Sequence, residues 1–153
     1  LGMHGAILEW VEPNVTLRVA YTSFAPDILQ ELLEQFQVQL ETFQIPVEGK
    51  HAIGLALASH TPVYVENAAE TISRVVPHIP PSFNLNSLAP FGLMRIVFAP
   101  MLVGEKASGI LVVFGNALVE NDLPAFAALA QQAASALDKA RLLTEQQKRA
   151  AHD

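Results

Sequence analysis

Read for its alternation of apolar and polar positions, the chain begins with two short runs, GAILEWV at 5–11 and VTLRVAY at 15–21. Both are rich in β-branched and aromatic residues and are split by Glu12, Pro13 and Asn14, which predicts a hairpin. Glu9 and Arg18 fall where they face each other across it on a more polar surface, a pairing worth under about 1 kcal/mol. The period then lengthens. Between residues 25 and 43, Leu29, Leu32, Leu33, Phe36, Leu40 and Phe43 recur at helical spacing with Gln and Glu between them. Pro26 and Asp27 suit a first helical turn, so one amphipathic helix is expected over this whole stretch. Residues 45–67 predict a short strand, a turn at Glu48 and Gly49, an apolar helix near 51–59 and a second strand in PVYVE.

A long connection follows, from about Asn67 to Leu93. Asn67 followed by Glu70 resembles a capping box for one helical turn, after which Pro77, Pro80, Pro81 and Pro90 break regular structure. Irregular connections of this length are lids, binding loops or disorder. Carrying Phe83, Leu85, Leu88 and Phe91, this one is expected to pack on another element.

FAPMLVGEKASGILVVFGN, residues 98–116, predicts a second hairpin, and neither of its faces is polar. Phe98, Pro100 and Leu102 point one way and Ala99, Met101 and Val103 the other; Ile110, Val112 and Phe114 likewise oppose Leu111 and Val113. Antiparallel sheets commonly leave one face to water, so this hairpin needs cover on both sides. A long helix is predicted from about Glu120 to Arg149, its apolar stripe formed by Phe126, Leu129, Ala130, Ala133, Leu137 and Ala140. Beyond Leu143 the stripe gives way to polar residues. About 30 residues at 1.5 Å each make roughly 45 Å, more than the sheet needs, so the end of this helix is expected to project.

Composition narrows the choice of function. The chain has 153 residues, 51% of them hydrophobic and 16% charged, enough for one domain with its own core. No apolar run approaches the roughly 18 residues of a membrane span, and no signal-peptide pattern is present, so a soluble, cytoplasmic module is expected. The net charge is -6 with no basic stripe, which argues against nucleic acid as a partner. Cysteine is absent, excluding disulfides, thiolate metal sites and a cysteine nucleophile. No Ser-His-Asp arrangement, phosphate-cradling glycine loop or converging carboxylate pair stands out, so no catalysis is expected. A start at Leu1 directly before a strand reads as a piece of a longer protein.

The order of elements and three segments resemble the GAF family of sensory domains. GLALASHTPVYVEN is similar to that family's short helix, small-residue turn and strand. IVFAPMLVGEKASGILVVFGN carries Pro100, Leu102, Gly104, Gly109, Ile110 and Leu111 where the family's hairpin has its pattern. LVENDLPAFAALAQQAASALDKARLLTEQQ is similar to its closing helix. The three segments cover a little under half the chain. The resemblance implies an α+β fold, a central antiparallel β-sheet of five or six strands with helices on both faces. It also implies small-ligand binding between the sheet and the 67–93 roof. One departure is that the family's helix before the first strand is missing, which leaves a groove beside the closing helix.

On this basis the pocket candidates are Tyr64, His78, Phe83, Phe91, Met94, Arg95, Ile96 and Phe98. The competing reading is that the loop aromatics plug the sheet and leave no cavity. His78 is a candidate haem ligand by analogy with some family members, although a surface or hydrogen-bonded histidine is the commoner case. His4, His51, His60 and His152 lack metal-ligand spacing, and His51 and His60 are expected to be exposed. Arg95 fits an anionic ligand or, as the preferred reading, an ion pair with Glu66 or Glu70. The absent cysteines set aside a covalently attached bilin and the methionine-sulfoxide-reducing branch, and the cyclic-nucleotide signature is missing. The cofactor stays unassigned. Residues 1–143 read as a GAF-like sensory domain and 144–153 as the start of a helical linker. The expected whole is the input domain of a bacterial-type signalling protein, most simply a two-component histidine kinase. It would take an unidentified small molecule and form a homodimer through Phe126, Ala130, Ala133, Leu137 and Ala140, without membrane contact. The alternatives are a ligand-free dimerisation module and the regulatory domain of a transcription factor.

Overall fold

The computed structural model describes residues 3–11, 16–47, 51–76 and 88–152. Six strands form one antiparallel sheet: β1 (Met3–Val11), β2 (Thr16–Thr22), β3 (Gln44–Pro46), β4 (Val63–Val65), β5 (Arg95–Val103) and β6 (Lys106–Gly115). Their order across the sheet is β3-β2-β1-β6-β5-β4. The helices α1 (Pro26–Phe36), α2 (Ala52–Ser59) and α3 (Ala68–Val75) contribute to the core on one face, called the front. The long helix α4 (Leu123–His152) packs on the other, mainly along β5 and also on β6. The expected α+β architecture with helices on both faces is therefore the one observed.

Strand alternation sorts the hydrophobic residues into two cores. Ala6, Leu8, Ile96, Phe98, Ile110 and Val112 face front, with Leu17 and Ile45. Val97, Ala99, Met101, Leu111 and Val113 face back, where Ala130 and Ala134 of α4 close over them. The doubly apolar hairpin is explained: both of its faces are covered. The β5 and β6 ladder runs from Arg95 opposite Gly115 to Val103 opposite Lys106, with one irregularity between Met101 and Leu102. In β1 and β2, Glu9 and Arg18 are register partners and form the expected surface ion pair. The turn residues Glu12, Pro13 and Asn14, and Glu48 and Gly49, lie outside the described residues.

Two local expectations change. The first helix stops at Phe36 instead of continuing to Phe43, because Gln37 enters the left-handed region at φ 56° and closes the helix with backbone bonds to Glu34 and Leu33. Asn67 does precede α3, but its side chain makes no capping bond, and Glu70 pairs instead with Arg74 at 2.9 Å. Helix α4 runs as expected and all its residues from Lys139 to Ala151 are exposed. Among the described residues, no helix is long and apolar enough to cross a membrane.

Candidate functional site

Between the front of the sheet and helices α1 and α3 lies a cavity of about 140 Å³. The strands contribute Ala6, Leu8, Val19, Ile96, Phe98, Val112 and Phe114 to its wall. Helix α1 adds Leu29, Leu32, Leu33 and Phe36, and the turns after it add Val38, Leu40 and Phe43. Helix α3 adds Thr71, Ile72 and Val75, while Ile53 of α2 and Leu93 complete this part of the lining. The wall follows from local sequence. In α1 only Leu32 and Phe36 are buried, so the helix covers the sheet without filling the space beneath it. Because Gln37 ends the helix, Leu40 and Phe43 reach the cavity from an irregular segment that continues into β3. Among the described residues of the 67–93 connection, Phe91 is buried in the front core without being part of the wall.

The eight pocket candidates from the sequence are divided by the fold. Ile96 and Phe98 line the cavity. Phe91 is buried in the same front core without being part of the wall. Met94 acts through its backbone, its amide donating to Asn116 Oδ1 at 3.1 Å and its carbonyl accepting from the Ala68 amide at 3.1 Å. Tyr64 and Arg95 stand on the opposite face, and strand parity is the reason: Val63 and Val65 turn to the front core, which sends Tyr64 back. Arg95 shares the parity of Val97. The Tyr64 hydroxyl and the Arg95 guanidinium both donate to the Leu118 carbonyl oxygen, at 3.1 and 2.9 Å. Arg95 therefore holds the segment leading into α4, in place of the expected pairing with Glu66 or Glu70. His78 and Phe83 lie outside the described residues.

Asn116 was not singled out from the sequence, yet it pins the segment before β5. Its Nδ2 donates to the Ala89 carbonyl at 2.9 Å while its Oδ1 accepts from Met94. The signal was present only as an Asn after the last strand, which reads as an ordinary turn residue. No histidine is among the described lining residues. Of the histidines expected to be exposed, His60 is exposed and His51 is half-buried at the start of α2. Among the described residues no group of three or more His, Asp or Glu could hold a metal ion.

On the back face, the expected stripe of α4 separates into two. Ala130 and Ala134 are buried against the sheet, with Leu123, Phe126 and Ala133 partly buried beside them. Leu129, Ala136, Ala140 and Leu143 are exposed and, with Ala133 between them, recur at alternating spacings of four and three residues. Leu137 is 45% exposed and borders a groove with Ile7, Met101, Ser108 and Gly109. Arg141 beside it pairs with Asp138 at 3.1 Å and Glu145 at 2.9 Å.

The family model described as "GAF domain" matches residues 3–137. No curated protein matches the sequence significantly. Solved structures with the same fold include the second GAF domain of DevS from Mycobacterium smegmatis. It is 18% identical, with a TM-score of 0.57 over 95% of this chain and 84% of that one. A domain of a protein designated a two-component sensor histidine kinase, from Sinorhizobium meliloti 1021, is 11% identical, with a TM-score of 0.53 over 94% of this chain and 83% of that one. The type II free methionine-R-sulfoxide reductase from Thermoplasma acidophilum is 11% identical, with a TM-score of 0.52 over 88% of this chain and 77% of that one. At these identities the likeness concerns the fold.

Proposed function

Because the chain belongs to the GAF domain family, we propose that it works as the sensory input domain of a larger signal-transduction protein, binding a small ligand under α1 and α3 and answering through α4. One observation carries this reading. Strand β5 has the cavity on one face, through Ile96 and Phe98, and the footing of α4 on the other, through Val97, Ala99 and Met101. A ligand that moves β5 by a few tenths of an ångström shifts the seat of a helix about 45 Å long, whose distal half is exposed. The effect is a change in populations of helix arrangements, which requires the ligand to prefer one of them.

The exposed seam of Leu129, Ala133, Ala136, Ala140 and Leu143 supports a parallel homodimer, since alternating spacings of four and three residues keep one stripe facing a partner helix. Small residues at three of these positions permit close approach of the two helices. A histidine kinase is the proposed context, in keeping with the Sinorhizobium neighbour, with residues 144–153 beginning the linker and the domain cytoplasmic. The reading is non-catalytic: one neighbour is a reductase, but this chain has no cysteine to supply the thiol chemistry expected of that branch.

Native mass spectrometry of the purified chain tests the proposal. The expected spectrum is a dimer carrying a reproducible added mass that is released on denaturation. A bare dimer would support the ligand-free dimerisation module instead, and a bare monomer would remove both halves of the proposal.

A further inference from the structure

The chemistry of the cavity wall says more than that a ligand fits, and the inference rests on the pocket reading above. Every lining side chain among the described residues is apolar except Thr22 and Thr71. The Thr22 hydroxyl is already engaged, accepting the Phe24 amide at 3.3 Å. No Asp, Glu, Lys, Arg or His stands in the described wall. A carboxylate, phosphate or ammonium group seated against these residues would lose hydration and find no compensating charge among them, which disfavours charged ligands. Five phenyl rings contribute: Phe24, Phe36, Phe43, Phe98 and Phe114. Rings of this kind favour another ring packed edge-to-face or offset against them. The size agrees, because dry apolar cavities of about 150 Å³ take benzene-sized molecules.

We infer that the ligand is a compact, uncharged aromatic molecule of about six to eight heavy atoms, held by ring packing and shape, with no ionic contact. The site discriminates by rejection: an added charge is penalised far more than an added methyl group.

Toluene and benzoate, nearly equal in size and different in charge, test this with the whole chain. Saturating toluene is expected to raise the melting midpoint by several degrees, because it binds the native state only. It should also shift the methyl resonances of Ile53, Ile72, Ile96 and Val112, whereas benzoate at the same concentration moves neither readout. Val19→Phe, which places a ring in the cavity from a half-buried strand position, should fold and lose the toluene response. Benzoate acting as well as toluene would overturn the uncharged class while leaving a ligand pocket in place. A toluene response that persists undiminished in Val19→Phe would overturn the site. If neither probe moves any of these methyls, the aromatic ligand and the pocket reading both fall.

Discussion

Gly109→Ala is expected to lower stability by about 3 kcal/mol and the melting midpoint by roughly 10 °C, from the addition of a single methyl group. The reason is how closely β1 and β6 approach. A Cβ at Gly109 would stand 2.3 Å from the Leu8 carbonyl oxygen, 3.4 Å from its carbon and 3.5 Å from the Glu9 Cα. All three are backbone atoms, so no flexible side chain can move aside. Nor can β1 withdraw, since Leu8 is a register partner of Ile110 on one side and of Val19 on the other. Gly104 provides the contrast within the same hairpin. Nothing lies within 4 Å of a Cβ there, and the strain comes only from its φ of +64°, so Gly104→Ala should cost about 1 kcal/mol. Urea denaturation of the two variants separates the effects; equal small losses would mean that β1 and β6 pack less tightly than described.

The second large effect is expected at Ala130, which is fully buried where α4 meets Val97, Met101, Leu111 and Val113. Ala130→Glu places a carboxylate among these residues and is expected to cost about 3 kcal/mol, with α4 lifting from the sheet. Ala136→Glu is the matching change on the exposed seam. It should leave the melting midpoint of the monomer within about a degree, because surface substitutions of this kind stay near ±0.5 kcal/mol. It should nonetheless reduce dimerisation by tenfold or more, since two like charges would meet across the proposed helix pair. Thermal melting and sedimentation read the two outcomes separately. Ala136→Glu with an unaltered dimer would remove the seam from the account.

Most of the fold was legible because it is written in periods. The doubly apolar β5 and β6 demanded two covering layers, and the change from period two to helical spacing located α1 and α4. What escaped was local geometry. Leu40 and Phe43 keep the helical spacing of α1, yet Gln37 ends the helix in a conformation that Gln only occasionally adopts, so periodicity overran the boundary. The cavity lies on the face where the sequence placed the pocket candidates, but its described wall is made largely of other residues. The loop drew attention because of its aromatics, whereas much of the described wall comes from α1 and from β1 and β2. Tyr64 and Arg95 were avoidable candidates. Once Ile96 and Phe98 are assigned to the front, alternation sends Arg95 and the middle residue of β4 to the back. The double use of the Leu118 carbonyl depends on a contact across 54 residues for Tyr64, and no local pattern encodes it.

The central claim is that the front cavity and the projecting half of α4 belong to one sensor. The absence of cysteine makes a direct measurement possible, because a single Ala136→Cys substitution supplies the only thiol in each chain. Its rate of disulfide cross-linking, compared with that of Leu142→Cys on a different side of α4, should be measured with the cavity free and then saturated with toluene. The account predicts that Ala136→Cys cross-links faster than Leu142→Cys, and that filling the cavity changes its rate severalfold. Identical rates with the cavity demonstrably filled would contradict it, leaving α4 a dimerisation helix that does not read the pocket.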